Sequence, residues 1–277
     1  MGKALLMTAP TETEPAAASA ADSSESSAAR KGGALSPYLP RRREAIFMIG
    51  GGVLGAALGG GGAAYVTRPT EAPSRDDEEA VAEREGRELL EAGNARYVAG
   101  EAIHPDQSVT RRDAVVEAQL PFAAILSCAD SRVPPEVIFD QGLGDLFVVR
   151  SAGQVIDHAV LGSLQYGVEH LKTPLLVVLG HSGCGAVQAT IEAIEKKSKP
   201  TGTDIDALVA AIRPAVAEAK QTGADKTNLL SVSIDINVER IVEHLKTVAV
   251  LSEASTLRKV KIIGAVYSLD TGQVNWL

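Results

Sequence analysis

Cysteine is nearly absent from this chain: of 277 residues, only Cys128 and Cys184 carry a thiol. A framework of several disulfides is therefore excluded, and the pair can serve one disulfide or one shared metal site. Positive charge is also scarce. From Pro73 onward there are 20 basic and 29 acidic side chains, a balance that argues against a nucleic-acid-binding surface. Residues 1–40 have few large apolar side chains and are rich in Ala, Ser, Thr and Pro, so they cannot bury enough surface to fold. They are expected to be disordered. No internal repeat is apparent.

Charge disappears altogether between Glu44 and Arg68. This uncharged run follows Arg41-Arg42-Arg43, and eight of its residues from Gly50 to Gly62 are glycine, which keeps it only mildly apolar. The arrangement looks like a twin-arginine signal, whose route carries folded proteins. Residues 41–72 are expected to engage export machinery transiently and to direct the protein to the periplasm or an equivalent lumen. Cleavage near Ala63-Ala64-Tyr65 or Thr70-Glu71-Ala72 is the favoured expectation. The 21 residues from Ile46 to Val66 could instead remain as a membrane anchor. Residues 73–277 are expected to form the folded catalytic domain.

Within that part, apolar runs at Phe122 to Leu126 and Leu175 to Leu179 read as buried parallel strands. Leu146 to Val149 reads as another, ending at Arg150. Helices are expected over Asp76 to Ala99, from Pro134-Pro135-Glu136 to Phe139, over Ala159 to Leu171, and from Gly185 onward. Ser198 to Thr203 reads as a loop. Asp204 to Lys220 is expected to be helical with an interruption near Pro214, and Asp225 to Leu251 largely helical. Val260 to Val266 and Gln273 to Leu277 flank Asp270-Thr271-Gly272 as a closing hairpin. Strands alternating with helices imply right-handed crossovers and an α/β fold, a central, mostly parallel sheet flanked by helices.

Each cysteine follows one of the apolar runs, and strand ends are where α/β sheets place chemistry. Cys128, His181 and Cys184 would supply two thiolates and one imidazole, a set that leaves a tetrahedral zinc with its fourth position open. Asp130 and Arg132 follow Cys128 at alternate positions and can face the same side. A carboxylate there could close the site as a fourth ligand, and Arg132 is the bidentate partner that would hold it ionised and away from the metal. His104, His158, His170 and His244 read as ordinary surface or packed histidines.

Two motifs carry a resemblance. Cys128-Ala129-Asp130-Ser131-Arg132-Val133-Pro134-Pro135 and Gly180-His181-Ser182-Gly183-Cys184-Gly185, with Gln165-Tyr166 ahead of the second, resemble the signatures of the β-class carbonic anhydrases. The similarity runs from about Glu88 to the C-terminus and includes Gly264-Ala265-Val266-Tyr267-Ser268-Leu269. It implies one zinc per chain on Cys128, His181 and Cys184, and reversible hydration of carbon dioxide to bicarbonate and a proton. Asp130 and Arg132 are implied as catalytic residues, and Gln119, Phe147, Ala152 and Tyr166 as the substrate pocket. It also implies a homodimer or larger homo-oligomer, with the N-terminal helix packed on a partner subunit. For Phe147 and Tyr166, spacing alone reads as core packing.

The chain departs from the family at Arg150-Ser151-Ala152-Gly153-Gln154, which alters the hydrogen bonding expected of that turn. Gly167 replaces a usual Ala. Ile125 stands where some bacterial members carry the Trp of a non-catalytic bicarbonate pocket, so the resemblance does not extend to that pocket. A related hydrolase acting on carbonyl sulfide or carbon disulfide, and a non-catalytic zinc protein that binds inorganic carbon, are the alternative readings. For the export segment, replacing Arg41, Arg42 and Arg43 with Lys is expected to retain the protein in the cytoplasm, as subcellular fractionation would show.

Overall fold

A computed structural model describes residues 75–257 and 259–277; the segments 1–40 and 41–72 lie outside the described residues. Helix α1 is Arg75–Ala99, followed by α2 Val109–Ala114, β1 Ala123–Cys128, α3 Pro135–Ile138 and β2 Leu146–Ser151. A 3-10 turn, Ala152–Gln154, leads into α4 His158–Glu169, β3 Leu175–His181 and α5 Gly185–Glu195. The chain continues through α6 Ile205–Gln221, α7 Leu229–Thr247, α8 Ala249–Thr256, β4 Lys261–Tyr267 and β5 Val274–Trp276. No helix among the described residues is long and apolar enough to cross a membrane.

The five strands lie in the order β2-β1-β3-β4-β5, parallel throughout except for the antiparallel β4–β5 hairpin. Every residue of β1 and β3 is buried, as their unbroken apolar runs require for strands covered on both faces. One apolar cluster includes Leu90 of α1, Ile125, Leu179 and Val187. The other joins Ala124, Leu126, Val178 and Val238 to α4 and α8 through Leu164 and Leu251. Each fully buried Leu, Ile or Val side chain among them contributes about 1.5–3 kcal/mol by leaving water.

Both central strands run beyond their apolar stretches, to Cys128 and His181, so the candidate ligands are the last residues of their strands. The interruption expected near Pro214 is absent: α6 runs unbroken through it. Pro214 and Ala210 are exposed, so the carbonyl deprived of a donor lies on the wet side, while Ile212, Ala215, Val216 and Ala219 anchor the opposite face. The long final helical stretch is instead divided at Val248, whose backbone is extended (φ −70°, ψ 120°). Helix α2 escaped the sequence reading; Ser108 caps it by accepting the N–H of Arg111.

Helix α1 is pinned to its own chain at its C-terminal half. Asn94 Nδ2 donates to the carbonyls of Ile138 and Gly272, and its Oδ1 accepts the N–H of Val274. Gly93 lets the helix approach α3, because a Cβ there would lie 1.7 Å from the carbonyl oxygen of Phe139. Nearby, the buried carboxylate of Asp140 accepts from Arg96 Nε at 2.6 Å and from the N–H groups of Ile103 and His104. Burial alone would raise its pKa, yet Arg96 and the two N–H groups outweigh it and hold the group below its usual range. A carboxylate depressed by folding stabilises fully above its unfolded pKa of about 3.9 and loses that contribution as pH falls through the folded value. Asp140→Asn is expected to cost about 1–3 kcal/mol near neutral pH and to flatten the acid limb of stability, measured by urea unfolding between about pH 2.5 and 7.

Candidate metal centre

Cys128, His181 and Cys184 converge at the C-terminal ends of β1 and β3, all buried, with their ligand atoms within 4.8 Å of one another. Both cysteines are buried and unbonded to each other, as a shared metal site requires. The imidazole is already oriented. His181 Nδ1 lies 2.9 Å from the carbonyl of Ser182, which sets the tautomer with the proton on Nδ1. Nε2 is left buried without a hydrogen-bond partner, a costly state that a metal ion would relieve. Ser182 is itself fixed to the end of β4: its N–H donates to Tyr267 O at 2.8 Å and its Oγ accepts the Leu269 N–H at 2.9 Å.

Cys184 stands at the N-cap of α5, which sets its sulfur at the positive end of the helix dipole. Cys128 Sγ accepts the N–H of Gly153 at 3.3 Å. The two sulfurs act on each other: Cys128 is pushed down, first by the hydrogen bond with Cys184, against its burial, and then by backbone N–H groups, while Cys184 is pushed up, first by its bond to Cys128 and then by burial. Two sulfurs and a free imidazole nitrogen form a donor set that suits zinc with one position open.

At the edge of this cluster lies Asp130. Its Oδ1 accepts the backbone N–H and Nε of Arg132, and its Oδ2 accepts Nη2 at 2.8 Å. Arg132 therefore holds the carboxylate well below the usual range and turns it into a fixed acceptor. Asp130 Oδ2 is 4.0 Å from His181 Nε2, beside the cluster and outside it. The loop carrying these groups is clamped by Arg150, whose Nε donates to Cys128 O at 2.9 Å and whose Nη2 donates to Asp130 O at 2.6 Å.

Ala152 opens the 3-10 turn beside Cys128, since Cys128 pairs with Ser151 and Ala129 N–H bonds Ser151 O. The other pocket residues do not converge on the cluster within one chain. Phe147 pairs with Ala124, four residues before Cys128, roughly 13 Å along the strand. It packs with the apolar cluster under α4, its ring centroid 6.2 Å from that of Tyr166. A Cβ on Gly167 would lie 3.0 Å from the Phe147 ring, which explains the missing Ala there. Tyr166 is 48% exposed, with its ring tilted against that of His170, while Gln119 lies exposed ahead of β1. Three further residues act on the site: Arg150 and Gly153, noted from sequence only as part of a turn that departs from the family, and Asn237, which was not singled out. Asn237 was discernible as an amide embedded among the apolar residues Ile234, Ile236 and Val238 of a helix.

Residues 123–274 match the family model described as carbonic anhydrase. The chain belongs to that family. A carbonic anhydrase of Mycolicibacterium smegmatis is 41% identical over 185 residues, spanning 67% of this chain and 88% of its own length. Carbonic anhydrase 2 of Mycobacterium tuberculosis is 44% identical over 191 residues, spanning 66% of this chain and 87% of its own. Among solved structures, a tetrameric β-carbonic anhydrase from Sordaria macrospora aligns with a TM-score of 0.55 at 23% identity, over 70% of this chain and 98% of the other. This likeness shows the α/β fold of the β class. Zinc is the cofactor that this family and this donor set share. Elemental analysis is expected to find one zinc per chain, and Cys184→Ser to lower it by at least about 10-fold in affinity.

Proposed function

We propose that this chain is a zinc-dependent carbonic anhydrase that interconverts carbon dioxide and bicarbonate. One observation carries the reading: a buried Cys128/His181/Cys184 cluster with an unpartnered imidazole nitrogen, edged by a carboxylate that arginine holds ionised. Zinc, when bound, makes a water molecule available as a nucleophile near neutral pH.

The residues around it have separable tasks. Asp130, fixed through three hydrogen bonds from Arg132, accepts a hydrogen bond from the attacking oxygen and aims its lone pair at the substrate carbon. Arg132 also keeps that carboxylate from swinging onto the metal and closing the site. Arg150 holds the loop between them in place. Ala152 provides a small apolar wall for a linear, non-polar substrate. The proton passes to solvent or buffer. Loss of Asp130 or Arg132 would favour a non-catalytic zinc protein, and both are present and paired.

Gln119, Phe147 and Tyr166 are assigned to the substrate pocket of an assembled homo-oligomer, with a second copy bringing them to the cluster. Their separation from Cys128 within one chain, and the exposure of Gln119 and Tyr166, support this. Export through the folded-protein route rests on Arg41-Arg42-Arg43 and the uncharged run that follows. A site built on reduced sulfur gains from it, because metal can be loaded before the protein meets an oxidising compartment.

Stopped-flow hydration of carbon dioxide by the purified protein tests the activity. Asp130→Asn and Arg132→Ala are each expected to keep one zinc while losing roughly 10- to 100-fold in rate, since neither supplies a ligand in the open site. Near-native rates in both variants would refute their roles; no hydration by zinc-loaded native protein would refute the function.

A further inference from the structure

The N–H that Gly153 gives to the Cys128 sulfur comes from an uncommon piece of backbone. Gly153 has φ +63° and ψ 22°, and Gln154, next to it, has φ +55°. Two consecutive left-handed residues do not hold themselves: glycine has no preference for that region, and for Gln154 it costs roughly 1–2 kcal/mol. Packing confines the turn, since a Cβ at 153 would lie 2.7 Å from Ile212 Cδ1 and 3.1 Å from Ala186 Cβ. Those contacts limit how far the turn moves, and the plane that carries the Gly153 N–H is held within the turn only by the long bond from Val155 N–H to Ala152 O, 3.4 Å.

Direction comes from α7. Asn237 Nδ2 donates to the carbonyl of Gly153 at 3.0 Å, reaching across 84 residues of sequence from a position only 5% exposed. The carbonyl that Asn237 grips and the N–H that meets the sulfur belong to the same residue, on either side of its Cα. They lie in adjacent peptide planes, so holding the carbonyl restrains the N–H only because the Cα between them is packed against Ile212 and Ala186. A side-chain amide buried in an otherwise apolar helix face has a desolvation cost, and here its donor is spent on the turn beside the metal ligand.

We infer that Asn237 is a positioning residue for the metal: by holding the Gly153 carbonyl it aims the Gly153 N–H at the Cys128 sulfur, and so sets the place and donor strength of that ligand. An N–H bonded to a thiolate draws charge from it, and hydrogen-bonding partners of this kind tune metal affinity by about 10- to 100-fold. The inference rests on the zinc reading above.

Two measurements on the full-length protein test it: zinc affinity by chelator competition, and the sulfur-to-metal charge-transfer band after replacement of zinc by cobalt(II). Asn237→Ala is expected to bind zinc about 10- to 100-fold more weakly, because Cys128 is no longer held in place ahead of the metal, and to move the band to longer wavelength, because a sulfur without its N–H gives up charge more readily. Ser233→Ala, one turn earlier on α7, removes a buried hydroxyl that makes no hydrogen bond and should match the native protein in both. If Asn237→Ala melts at lower temperature yet keeps its affinity within about twofold and its band in place, Asn237 is merely structural and the inference falls. Equal shifts in Ser233→Ala would overturn it as well. Should Asn237→Ala not fold, Asn237→Asp, which keeps the volume and turns an acceptor toward the carbonyl, is read by the same criteria. Native protein that binds no zinc would sink the metal reading itself, a failure visible before any variant is made.

Discussion

Parallel pairing of β1 with β3 is the constraint on which the site depends, because it brings two strand ends, far apart in sequence, to one edge of the sheet. Both strands are buried on both faces, so their apolar side chains discriminate weakly between one register and the next. Polar contacts at the ends supply the discrimination. Arg150 grips the carbonyl of Cys128, Ala129 bonds Ser151, and Ser182 bonds Tyr267. The hydrogen bonds that shape the metal centre are thus also the ones that tell the sheet where to stop.

Negative charge is concentrated at this edge, with two sulfurs and a carboxylate close together. Each is met by positive charge that belongs to the fold: the dipole of α5 at Cys184, the Gly153 N–H at Cys128, Arg132 at Asp130. The donor set is consequently in place in advance of any cation, and little reorganisation is left for binding to drive. His181 follows the same rule, its tautomer chosen by the Ser182 carbonyl.

Much of this was legible from residues alone. The strands, the hairpin and the three ligands follow from apolar runs and from Cys and His placed at their ends. What escaped depends on contacts between distant segments or on backbone geometry. Pro214 reads as a helix breaker until the exposure of its face is known. Phe147 and Tyr166 lie near each other as expected, yet on the side of the sheet that α4 covers, a separation that spacing along the chain does not encode. The turn at Gly153 departs from the family pattern, and its hydrogen bonds, through Arg150 and Asn237, come from side chains whose reach only the fold reveals.

Asn94 joins the first described helix to the final strand, bonding both Gly272 and Val274. Asn94 and Val274 are 180 residues apart in sequence. Helix α1 is therefore synthesised well before the strand that holds it, and this joint closes only after Val274 has emerged from the ribosome. Truncation ahead of Gly272 would remove not an ornament but a latch, costing α1 two of the three Asn94 bonds and the sheet its edge strand.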